Sequence, residues 1–188
     1  MAIKTFTAGS VLTASDTNTY LANSGLVYVT SATPSGAQTI DITNCFSSTY
    51  DFYVLEAAYY GSTAIDFQFR YLTGTNTPNT AANYNRDGFY YLGGITNFGA
   101  SGATTQFFGN TAGGAGLIST TRMVIHNPFS SSSRTTCEHF HFDCQSGLTA
   151  TFASQHTTTT SFTGIRIYSS NGSTTLTGRI SVYGMRQA

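Results

Sequence analysis

The stretch Cys137-Glu138-His139-Phe140-His141-Phe142-Asp143-Cys144 is the densest collection of chemically capable side chains in the chain. In an extended backbone, successive side chains point to opposite faces. Cys137, His139, His141 and Asp143 then share one face, and Glu138, Phe140, Phe142 and Cys144 share the other. Two imidazoles at i and i+2, flanked by a thiol and a carboxylate, could ligate zinc or iron, above all if a threefold axis brought three copies together. A plainer reading is preferred. The polar face is the solvent side of a strand whose other, phenylalanine-bearing face meets a core, and no metal or cofactor is expected. Opposite faces also make a Cys137–Cys144 disulfide unfavourable, and Cys144 is expected to be buried as a small apolar residue. His126 and His156 stand alone and read as structural.

Hydrolytic chemistry needs convergent groups. The carboxylates Asp41, Asp51, Glu56 and Asp66 fall in one region, and a glycosidase would use two of them. Asp51 and Glu56 differ by an odd number, so one strand would hold them on opposite faces. Asp66 is expected to pair with Arg70, which has the same parity. The sequence contains no Gly-x-Ser-x-Gly elbow, phosphate-binding loop or His-Glu-x-x-His segment. The expectation is a protein without a catalytic site.

The elements that must position these residues are strands. The chain has 188 residues, of which Thr and Ser supply 54, with 19 Gly, 14 Phe, 12 Tyr, and no Trp. Thr, Tyr, Phe, Val and Ile favour a pleated, half-buried surface, while Gly, Ser and Asn favour turns. Strands are expected at 26–30, 38–42, 51–60, 65–72, 89–92, 120–127, 135–144, 148–155, 164–169 and 179–185. In 65–72 the alternation sends Ile65, Phe67, Phe69 and Tyr71 to one face. Asn171-Gly172 is a strong hairpin signal between its flanking strands. Two Gly/Asn/Thr-rich stretches, 73–88 and 93–116, exceed ordinary loop lengths and read as functional or assembly loops. The fold class expected is all-β, an antiparallel β-sandwich of jelly-roll-like type.

Charge narrows the partners. Only 9% of residues are charged, and eight basic and eight acidic side chains cancel. No basic excess exists to neutralise phosphates, so nucleic acid is not an expected partner. No apolar run is long enough to span a membrane as a helix. Three cysteines and a start without a signal-peptide core lead to the expectation of synthesis in a cytoplasm. Seven arginines against the single Lys4 fit guanidiniums held partly buried or at interfaces, or scattered on solvent-facing strands.

The first 25 residues differ from the rest. Thr13 to Leu21 can form a short helix capped by Thr13, with Asp16 near its positive end. Phe6, Val11, Leu12, Tyr20 and Leu21 are apolar or aromatic side chains with too few neighbours to make a core. The segment reads as a docking arm, or as a piece that closes one end of the sandwich spanning 26–188.

Residues 6–21, Phe-Thr-Ala-Gly-Ser-Val-Leu-Thr-Ala-Ser-Asp-Thr-Asn-Thr-Tyr-Leu, resemble the amino-terminal stretch of many tailed-bacteriophage virion structural proteins. These are minor tail, tail-fibre or head-decoration proteins. The ending Gly178-Arg179-Ile180-Ser181-Val182-Tyr183-Gly184-Met185 is similar to their last strand. The resemblance implies a position on the virion exterior after synthesis in the host bacterial cytoplasm, often as a homotrimer. It implies docking onto the major capsid protein or onto tail or portal-region proteins, and no enzymatic activity. Two roles remain open: a head-decoration or cement protein, or short knob, and a fibre or appendage protein that recognises a host surface glycan.

Overall fold

The computed structural model describes residues 7–11, 13–16, 25–74 and 76–185. Among the described residues the chain is all-β, with a single helical turn, α1 (Ala14–Asp16), ahead of it. The strands are β1 (Val27–Ala32), β2 (Thr39–Ile42), β3 (Phe52–Gly61), β4 (Ala64–Thr73), β5 (Thr77–Pro78), β6 (Tyr84–Tyr91) and β7 (Ile95–Asn97). They continue as β8 (Ala100–Ala103), β9 (Gln106–Ala112), β10 (Ser119–His126), β11 (Thr136–Phe142), β12 (Thr149–His156), β13 (Gly164–Ser169) and β14 (Leu176–Met185).

Every named pairing is antiparallel. The larger sheet runs β1-β14-β3-β10-β11-β12-β6-β7, with β8 also on β6; the smaller runs β2-β13-β4-β5, with β9 also on β4. The central quartets are therefore β1-β14-β3-β10 and β2-β13-β4-β9, and consecutive strands repeatedly cross from one sheet to the other. The segments β6 to β8 and β11 to β12 widen the larger sheet beyond β10, and the short β5 extends the smaller one beside β4.

Alternation explains the core. From the larger sheet, Tyr53, Leu55, Tyr59, Met123, Ile125, Ile180 and Val182 point inward. They meet Ile40, Ile42, Phe67, Phe69, Tyr71, Ile165 and Ile167 of the smaller. Phe162 stacks on Tyr71 with centroids 4.7 Å apart, and Phe46 meets Tyr53 edge-on at 4.9 Å. Three of the buried tyrosines, Tyr53, Tyr59 and Tyr84, have partnered hydroxyls. Tyr53 donates to the Ser47 carbonyl at 3.0 Å, and Tyr84 accepts the Tyr71 N–H at 3.1 Å. Each fully buried ring of this kind contributes roughly 2–3 kcal/mol through removed apolar area.

The expected inward face of 65–72 is present: Phe67, Phe69 and Tyr71 are buried. Three expectations are corrected. The stretches 73–88 and 93–116 are not unbroken loops, since β5 and the start of β6 lie in the first and β7 to β9 occupy most of the second. Small residues on partly exposed strands such as Ala100–Ala103 carry no apolar period, so their pairing is set by β6. Asn171-Gly172 does form a turn, with Gly172 at φ 68° and the Asn171 carboxamide oxygen accepting the Ser173 and Thr174 N–H groups. It joins strands of different sheets, however, and is not a hairpin: β13 belongs to the smaller sheet and β14 to the larger.

Candidate functional site

The structure brings Cys137, His139 and His141 onto one face of β11, as alternation requires, but that face is the buried one. Glu138, Phe140 and Phe142 point to solvent, Phe140 being 49% and Phe142 39% exposed. The expected solvent-side ladder is thus reversed. The reason lies on β9, where Phe108 is the extra residue of a bulge between Phe67↔Gly109 and Gln68↔Phe107. A bulged residue drops out of the ladder, and the Phe108 carbonyl faces the core instead. There it accepts the His139 Nε2–H at 2.8 Å and the Thr121 hydroxyl at 3.1 Å.

Polar partners continue from this point. The Tyr59 hydroxyl is 2.9 Å from Thr121 Oγ1. His141 Nδ1 is 3.0 Å from that same oxygen, and its Nε2 is 2.7 Å from Asn110 Oδ1. A neutral imidazole donates through one nitrogen and accepts through the other. His139 stacks on Phe152 with centroids 4.2 Å apart, and its buried Nδ1 has no hydrogen-bond partner. Gly109 makes the approach possible, because a Cβ there would collide with the Tyr59 hydroxyl and lie 2.6 Å from His141 Nδ1.

Burial is the main force on these rings. It pushes His139 down to about 3, with the neighbouring His141 acting in the same direction. It pushes His141 down to about 4, against the opposing pull of Asp143. Both are neutral at pH 7 and serve as hydrogen-bonding core residues. Asp143 lies just past β11 in the turn to β12. It accepts from Ser119 Oγ at 3.2 Å, from the Gln145 and Ser146 N–H groups, and from the Ser146 hydroxyl. Those donors offset its burial and hold its carboxyl below the usual range. Among the described residues no group of three or more His, Cys, Asp or Glu side chains could hold a metal ion.

Other expectations also change in place. Cys144 is exposed, while Cys45 and Cys137 are the buried thiols, and all three are free. Burial pushes Cys45 up to about 12. Asp66 does not pair with Arg70. Arg70 donates its Nε–H to the Thr104 carbonyl at 2.9 Å and lies over the Tyr168 ring. Burial raises the Asp66 carboxyl, and Arg86 is the cation that opposes it. Asp41 is instead clamped by Arg166 through two contacts of 2.6 Å, and Glu56 faces Arg122 at 3.2 Å. His156 is structural, wedged edge-on between Tyr84 and Phe162. His126 is only partly buried and lies on the outer face, 4.0 Å from Glu138.

Of the docking-arm residues, Val11 is described and is 83% exposed. Phe6, Leu12, Tyr20 and Leu21 lie outside the described residues.

Sequence reasoning missed the outer face of the widened sheet. Register places Phe140 opposite Thr151 and Thr151 opposite Phe89. One step along, Phe142, Thr149, Tyr91 and Ile95 align in the same way. Two aromatic rows, about 10 Å apart by the strand spacing, thus flank a threonine-floored groove along β12. Towards the other end the same face turns polar, with Asn85, Asp87, Ser101, His126, Glu138 and Gln155 lining an open depression of about 980 Å³. The alternation in 137–144 held the signal for this face. Which side was outside depended on β9.

Comparison of the chain with protein-family models, with curated proteins and with solved structures finds no match.

Proposed function

We propose that this chain is a non-enzymatic structural protein on the exterior of a tailed-bacteriophage virion, a head-decoration, cement or short knob-like protein. Residues 6–21 carry the resemblance on which this rests, and they form the docking arm for the capsid or for tail or portal-region proteins. The observation that best supports the reading is how the ionisable groups are used. Asp41 and Glu56 are engaged by Arg166 and Arg122, Asp143 by Ser119 and three donors of its own turn, and His139 and His141 are neutral core residues. Side chains so committed hold a fold and leave little for acid–base chemistry. The quartets β1-β14-β3-β10 and β2-β13-β4-β9 have the strand order of a jelly roll, an architecture common in capsid proteins. A homotrimer, made in the host cytoplasm and carried on the particle surface, completes the proposal.

Quantitative mass spectrometry of purified particles tests it. Hundreds of copies per virion are expected for a decoration or cement protein, a few tens or fewer for an appendage, and none would refute the virion reading. A second role, recognition of a host surface glycan, is favoured by the polar depression around Asp87, Glu138 and Gln155. Its size and its mix of amide, carboxylate and hydroxyl groups suit a short, uncharged oligosaccharide. Glycan-array binding that is lost on Gln155→Ala would support that role.

A further inference from the structure

We infer that the aromatic face of the widened sheet is where copies of this chain bind one another. The inference needs only this face and holds whether or not the chain belongs to a virion. Phe89, Tyr91, Ile95, Phe140 and Phe142 are between 39% and 69% exposed and align across β11, β12, β6 and β7 at one end of the sheet. At about 200 Å² per side chain they leave on the order of 500 Å² of accessible surface. That is at the upper end of the apolar patch usual on a monomer, a size that commonly marks a contact surface.

Shape selects a second copy. The rows Phe140/Phe142 and Phe89/Tyr91 are ridges, and Thr149/Thr151 between them is a groove. Ridge and groove lie side by side, so a ridge of one copy can enter the groove of the next as the side chains of facing sheets interdigitate. Charge agrees with this. The same face bears Glu56, Asp87 and Glu138 together with Arg122 and His126. A surface with both signs can meet itself without net repulsion. A glycan is a poorer occupant of this end, because phenylalanine and isoleucine offer sugar hydroxyls no hydrogen bond. The strands that carry the rows, β6, β7 and β11, lie outside the two central quartets. Their outward apolar residues therefore contribute nothing to the core.

Sedimentation velocity of the full chain across micromolar concentrations tests the inference. The wild type is expected to self-associate, and the Phe89→Thr/Phe140→Thr variant to associate about a hundredfold more weakly. Thr151→Arg, which fills the groove at an exposed position, should have the same effect with an unchanged melting temperature. Tyr28→Thr, an exposed aromatic at the opposite edge of the sheet, should leave association intact. A monomeric wild type would overturn the inference. So would an oligomer that survives both groove and ridge variants.

Discussion

One bulged residue and its neighbour decide what the paired imidazoles do. Phe108 leaves the β9 ladder and turns its carbonyl inward to His139, Asn110 meets His141, and both rings act as buried hydrogen-bonding groups. This has a consequence in pH. Both rings have folded values (about 3 and about 4) far below the ordinary value near 6.5, so the unfolded chain binds protons first as pH falls. Their contribution to stability is complete above pH 6.5 and is lost progressively on acidification towards pH 4 and 3. His156, also lowered by burial, acts in the same direction, and Asp143 adds to the loss only at the acid end. At roughly 1.4 kcal/mol per unit for each ring, the melting temperature should drop by about 10 °C or more between pH 7 and 4.5. Differential scanning fluorimetry across that range checks it, and His139→Leu should flatten the slope. A flat wild-type profile would mean that the rings are not buried as described.

At the scale of the element, the polar core tolerates one residue type at position 109. Gly109→Ala drives a methyl into the Tyr59 hydroxyl and the His141 ring. It should destabilise by about 2–4 kcal/mol in urea unfolding. Gly88→Ala provides a comparison at the outer strands, since its Cβ would meet the backbone of Thr151 and Phe152 across the β6–β12 pair. The proposed arm calls for a different test. β1 begins at Val27 and pairs with β14 along its length. Deleting residues 1–22 should leave the β circular dichroism spectrum intact and the melting temperature within about 3 °C, while abolishing attachment to particles. Loss of the β spectrum would show that the arm closes the sandwich instead of docking it.

At the scale of the molecule, a chain with 9% charged residues has few ways to keep an apolar face in water, and the aromatic rows of β6 and β11 are the face on which the proposed self-association rests. Much of this was legible in the sequence. Composition and two-residue alternation are local properties, so the all-β class, the antiparallel sandwich, most strands and the inward face of β4 could be read from residue order. So could the sharing of one face by Cys137, His139 and His141, because a strand's faces follow from parity alone. Which face is inside is another matter. It depends on what packs against the strand, and β9, whose Phe108 and Asn110 lie 31 residues before His139 and His141, presents a bulged carbonyl and a carboxamide in a stretch expected to be a loop. Turn chemistry has the same limit: Asn171-Gly172 dictates a reversal, but only the sheets' packing decides whether the reversed strand pairs with its neighbour or crosses over. The groove between Phe140 and Phe89 joins residues 51 positions apart through Thr151. Such a site exists only once register has been set by long-range hydrogen bonding, which no local pattern encodes.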